Sequence, residues 1–90
     1  MPRTRVTFEE TPNPNAGKFT VDRVLVEGRR GRTYATAGEA ADLPVVGRNL
    51  ADPDVLSVFV VADFVTVTKR AEAHWRDLAP RISALLREGL

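Results

Sequence analysis

The segment Thr11-Pro12-Asn13-Pro14-Asn15, followed closely by Lys18 and Phe19, has the least ordinary spacing of functional groups in the chain. Prolines at alternate positions fix φ, remove two N–H donors and push the residues before them towards extended geometry. The asparagine carboxamides can bond nearby backbone or face outward. A loop ordered in advance gives up little entropy when it meets a partner, so the chemistry on offer is recognition. In that reading the prolines supply rigidity, Asn13 and Asn15 hydrogen bonds, and Lys18 a charge, with Thr11 opening the segment. Phe19 serves either the contact surface or the core. The same residues also read as a rigid connector with no partner.

The remaining inventory is thin for catalysis. His74 is the only histidine, and neither serine, Ser57 or Ser83, lies in a G-x-S-x-G elbow, so no hydroxyl nucleophile with a histidine base is expected. His74 beside Trp75 reads as a solvated side chain at a helix start. The glycines match neither phosphate-cradling pattern. Asp52, Asp54 and Asp63 lack calcium-loop spacing and read as turn caps, although weak iron binding by carboxylates and His74 stays open. Arg29, Arg30 and Arg32 form the densest basic patch, with Arg3 and Arg5 as candidates to join it in a sheet. That patch supports an alternative function as a small nucleic-acid binder. No RNA-recognition aromatic run accompanies it, so nucleic acid is the second choice.

Composition narrows the classes further. Ninety residues suffice for one domain, 1–90, and 43% apolar with 28% charged residues is a globular balance. The net charge of +1 gives no whole-molecule field for nucleic acid or an anionic membrane. With no cysteine, the chain has no disulfide, thiol nucleophile or thiolate ligand, and so no cofactor bound by cysteine. The N-terminus has no apolar secretion-signal core, and Val58 to Ala62, the longest apolar run, is too short for a bilayer, so the cytoplasm is expected.

The elements that must position the loop are legible by period. Val6 and Phe8 alternate with polar neighbours as a first strand ending at the proline loop. Phe19 and Val21 continue the alternation, which shifts parity to Val24 and Val26 and so requires a bulge, twist or break at Asp22-Arg23. Gly28 and Gly31 bracket a turn that returns Arg32 to Ala35 as a third strand, in a hairpin with the second. A short helix begins near Asp42 to Pro44, carries Leu43, Val46 and Leu50 on one face, and ends at Pro53. Val55 to Val61 and Phe64 to Thr68 form a tight hairpin about Ala62-Asp63. Trp75, Leu78, Ala79, Ile82, Leu85 and Leu86 mark a last helix, with Pro80 in its first turn or kinking it. The order βββαββα predicts a two-layer α+β domain, mainly antiparallel, with both helices on one face of the sheet.

Thr11-Pro12-Asn13-Pro14-Asn15 with Lys18-Phe19 resembles the T-P-N-P-N-x-x-K-F opening of the N-terminal domain of Nfu/NifU-like iron-sulfur cluster scaffold proteins. The resemblance continues through Val55-Leu56-Ser57-Val58-Phe59, Asp63-Phe64-Val65-Thr66-Val67-Thr68-Lys69 and Trp75-x-x-Leu78-x-Pro80-x-Ile82, and covers nearly the whole chain. Two turns depart from the family pattern: Pro53-Asp54 stands for Glu-Gly, and Val61-Ala62 for Gly-Pro. The family's C-x-x-C domain, whose thiolates hold the cluster, is not in this sequence. The resemblance therefore implies an accessory, non-enzymatic module in iron-sulfur cluster assembly or transfer. Its expected partner is a C-x-x-C scaffold, a sulfur donor or an apo client protein, contacted through Thr11 to Asn15, Lys18 and Phe19.

Overall fold

The computed structural model describes residues 5–25, 31–35 and 44–89. The elements are β1 (Val6–Glu10), β2 (Ala16–Val21), β3 (Arg32–Tyr34), α1 (Pro44–Leu50), β4 (Val55–Val61), β5 (Phe64–Lys69) and α2 (Trp75–Gly89), the expected βββαββα order. All five strands lie in one antiparallel sheet, ordered β1-β2-β5-β4-β3.

Register assigns the two faces. Phe8 stands opposite Phe19, Phe19 opposite Val65 and Val65 opposite Val60, and this row belongs to the inner face with Val58, Val67 and Tyr34. Val45 and Val46 of α1 and Leu78, Ile82 and Leu86 of α2 join the same buried cluster, so both helices cover this one face. Each such side chain contributes roughly 1.5–3 kcal/mol of apolar burial. The opposite face carries Lys18, Thr20, Thr66 and Phe59.

The expected hairpin between the second and third strands does not form. β2 is an inner strand whose two edges are taken by β1 and β5, which leaves β3 no edge there. β3 instead pairs with β4, Tyr34 opposite Val58, at the far side of the sheet. The parity shift resolves as a break: β2 stops at Val21, Val24 is 62% exposed, and the Leu25 N–H bonds the Ala62 carbonyl at 2.7 Å. Val26, Gly28, Arg29, Arg30, Asp42 and Leu43 lie outside the described residues.

The two turns that depart from the family pattern are both closed. After α1, the Asp52 carboxylate accepts the Asp54 N–H at 3.0 Å, and Arg81 of α2 holds Asp52 at 3.1 Å and Asp54 at 2.9 Å. The Arg81 guanidinium is held above its ordinary range, first by the Asp54 hydrogen bond and then by the Asp52 charge. Between β4 and β5, Ala62 takes a left-handed φ of 49°, a conformation that costs an L residue about 1–2 kcal/mol. The α2 helix starts with the N–H groups of Asp77 and Leu78 donating to the His74 carbonyl, both at 3.0 Å. Pro80 lies past the first turn on the exposed side, where its missing N–H leaves the Arg76 carbonyl without the usual partner. Among the described residues no helix is long and apolar enough to cross a membrane.

Candidate functional site

The loop between β1 and β2 is held by its own side chains. The Thr11 hydroxyl lies 2.8 Å from the Ala16 carbonyl and 2.9 Å from that of Asn13, and it accepts the Asn13 N–H at 3.2 Å. Asn13 Oδ1 accepts the Asn15 N–H at 3.0 Å, and the Asn13 carbonyl accepts the Ala16 N–H at 3.0 Å. Proline and short polar side chains thus replace the ladder that β1 and β2 give up at this end.

Two distant residues pin the loop to the body of the domain. The indole N–H of Trp75, first residue of α2, donates to the Pro14 carbonyl at 3.0 Å. Lys69, last residue of β5, donates from Nζ to Asn15 Oδ1 at 3.2 Å and to the Arg70 carbonyl at 3.3 Å, and its N–H bonds the Asn15 carbonyl at 2.8 Å. Lys69 is 6% exposed, and its ammonium stands 5.8 Å from the centre of the Trp75 ring. Because a buried ammonium needs acceptors, the Asn15 carboxamide is committed to the interior.

The Trp75 ring rests on a cluster of tilted aromatics, 5.3 Å from Phe8 and 6.1 Å from Phe19 between centroids. Gly17 makes this possible: a Cβ there would lie 2.6 Å from Phe8 Cε1 and 2.9 Å from Trp75 Cη2. Above this floor lies an open cleft of about 190 Å³ lined by Glu10, Thr11, Pro12, Asn13, Pro14, Ala16 and Trp75. Pro12, Asn13 and Pro14 are exposed at its rim.

The structure gathers Thr11, Pro12, Asn13 and Pro14 around one concavity, with Asn15 bracing it from behind. It does not bring Lys18 or Phe19 there. Phe19 is 0% exposed, and its side chain lies in the core facing Val65, so it offers no contact surface. Lys18 alternates to the outer sheet face, where Nζ lies 4.5 Å from the centre of the Phe64 ring. Glu10, Lys69 and Gly17 were not among the candidates. Lys69 had a signal: Val65 and Val67 point inward, and a period of two puts Lys69 on the same side.

The other candidates are dispersed. Arg5 precedes β1 and Arg32 lies on β3, at opposite edges of the sheet, so four strand spacings of about 4.8 Å separate their strands by roughly 19 Å. That overturns a shared patch for these two arginines. His74 is exposed while Ser83 is buried, and among the described residues no three His, Asp or Glu side chains gather as a metal-ligating group. Ahead of α2, the Glu72 carboxyl is held below its usual range by a backbone hydrogen bond and by Arg70.

Comparison with known proteins bears on this geometry. Residues 6–90 match the family model described as scaffold protein Nfu/NifU N terminal. The human protein named NFU1 iron-sulfur cluster scaffold homolog, mitochondrial, is 35% identical over 82 residues, which is 90% of this chain and 32% of that protein. A NifU-like protein of Schizosaccharomyces pombe is 32% identical over 86 residues, 94% of this chain and 33% of that one. The chain thus spans about a third of these curated relatives. Among solved structures, Staphylococcus aureus protein SAV1430 superposes with a TM-score of 0.81 at 29% identity, covering 91% of this chain and 98% of that one. A NifU-like protein of Saccharomyces cerevisiae shares the fold, with a TM-score of 0.80 at 24% identity over 96% of this chain and 77% of that one. The family match covers nearly every residue that builds the sheet, the helices and the cleft, and the chain belongs to the Nfu/NifU N-terminal family.

Proposed function

We propose that this domain is a non-enzymatic docking module in iron-sulfur cluster assembly or transfer. It meets a C-x-x-C scaffold, a sulfur donor or an apo client protein and leaves ligation of the cluster, its partner's cargo, to that protein's thiolates. The observation that carries the reading is the preset loop. Its backbone N–H groups are satisfied internally, yet Pro12, Asn13 and Pro14 stand exposed around a concavity in a fixed conformation. Such a surface binds without an ordering cost. Its working compartment is taken to be the cytoplasm; the human relative is named as mitochondrial, so the compartment follows the protein that carries the domain.

Pro12→Tyr tests the reading. It places an uncharged, bulky group over the cleft without touching the internal hydrogen bonds. Capture of a purified C-x-x-C scaffold domain by the wild-type protein should be lost in the variant while the melting temperature stays within a few degrees. Undiminished capture by Pro12→Tyr, or no capture by the wild type of scaffold, sulfur donor or client proteins, rejects the loop as the docking surface.

A further inference from the structure

The hydrogen-bonding character of the cleft selects what can enter it. From residue 12 to residue 16 the backbone offers no free donor: Pro12 and Pro14 have no N–H, and those of Asn13, Asn15 and Ala16 are spent on Thr11 Oγ1, Asn13 Oδ1 and the Asn13 carbonyl. The Trp75 indole N–H is spent on Pro14. The rest of the lining is the Asn13 side chain, the Trp75 ring and Glu10, whose carboxylate follows Phe8 on the same face of β1. That carboxylate has no ion pair or side-chain hydrogen bond with any described residue. An anion would find almost nothing to donate to it here. A planar cation rich in N–H groups would find acceptors, one full negative charge and an aromatic surface. The volume of about 190 Å³ is below that of small-molecule sites, which start near 300 Å³, and suits one inserted side chain.

We infer that the cleft receives the guanidinium of a single arginine presented by the partner protein. The inference rests on the docking reading and names the chemistry that docks. Glu10 is the deciding group, because the Lys69 ammonium already stands over the Trp75 ring and weakens what the ring alone gives a second cation. Glu10 pairs with the guanidinium, the second lone pairs of loop carbonyls take its remaining N–H groups, and Trp75 covers its face.

The test uses N-acetyl-arginine-N-methylamide and the isosteric neutral citrulline compound, titrated into the full chain and followed by NMR at the Trp75 indole and Asn13 amides. The arginine probe should give saturable shifts and bind at least roughly fivefold more tightly than citrulline, the advantage vanishing in Glu10→Gln. Glu10 is exposed, so the variant should melt as the wild type does. Equal binding of the two probes, an unchanged preference in Glu10→Gln, or no saturable shift up to about 100 mM overturns the inference. Should Pro12→Tyr abolish scaffold capture while Glu10→Gln and the probe pair show no preference, docking stands and the arginine falls. Should the arginine probe saturate as described while no scaffold, donor or client is captured, the cleft chemistry stands and the docking reading falls.

Discussion

Replacing Asn15 by alanine isolates the bond on which the loop's position depends. The substitution keeps both backbone bonds of residue 15, its N–H to Asn13 Oδ1 and its carbonyl to the Lys69 N–H, and removes only the side-chain acceptor of the Lys69 ammonium. Lys69 is 6% exposed, and the Arg70 carbonyl would be its one remaining hydrogen-bond acceptor among the described residues. Hydrogen bonds to charged groups are worth about 1.5–3 kcal/mol, and a partly buried bond falls in the lower half, about 2 kcal/mol. For a domain of this size that corresponds to a fall in Tm of roughly 8–16 °C. Urea unfolding followed by far-UV circular dichroism measures the cost without relying on Trp75, whose fluorescence responds to the loop itself. The cycle is completed with Lys69→Met, in which an apolar side chain of similar volume replaces the buried charge at little net cost. In that background Asn15→Ala should cost less than about 1 kcal/mol. An equal cost in both backgrounds, or less than about 0.5 kcal/mol in the wild type, refutes the claim that Asn15 is held in place by the lysine.

Three further substitutions probe the surrounding framework. Gly17→Ala drives a methyl into Phe8 and Trp75 and should destabilise by about 1–3 kcal/mol while shifting Trp75 emission; Phe8→Leu in the same chain should recover part of the loss in a thermal melt. Ala62→Gly relieves the left-handed residue of the β4–β5 turn and should raise stability by about 0.5–1 kcal/mol in urea unfolding, a gain that a neutral or lower midpoint would disprove. Glu72 is depressed in the folded state, so its contribution is present above its unfolded pKa and is lost as pH falls through the folded one. Glu72→Gln should therefore flatten the decline in urea midpoint between about pH 5 and pH 3 without changing the midpoint's response above that range.

Local pattern sufficed for most of the fold because it depends on neighbours in the chain. Val55 to Val61 and Phe64 to Thr68, one residue short of the end of β5, declare themselves by β-branched content and a two-residue turn, and Leu78, Ile82 and Leu86 by helical spacing. Strand order was not legible. A glycine-bracketed turn looks the same whether the returning strand joins its predecessor or another edge of the sheet, and here β1 and β5 occupy both edges of β2. Ser83 is buried although it is polar, since it lies one residue from Ile82 on the covered side of α2. The loop was legible as a rigid segment, but its bracing was not: Lys69 and Trp75 lie 54 and 61 residues away from the atoms they hold, a separation no period reports.

That separation also explains why a motif of this kind misleads when it is read as a list of contact residues. Asn15 and Phe19 stand in the same short segment as Pro12 and Asn13, yet they act inward together with Gly17 and the distant Lys69, while Pro12 and Asn13 face solvent. The inward set fixes where the loop stands, and the outward set decides what it meets. Substituting an inward residue would disturb both fold and binding, so loss of binding in Asn15→Ala has no bearing on contact. A change at Glu10, whose side chain has no partner among the described residues, separates recognition from folding, and one at Pro12 does so where the melting temperature shows the loop still held. Their exposed positions at the mouth of a preformed cleft make the docking claim and the arginine claim independently refutable.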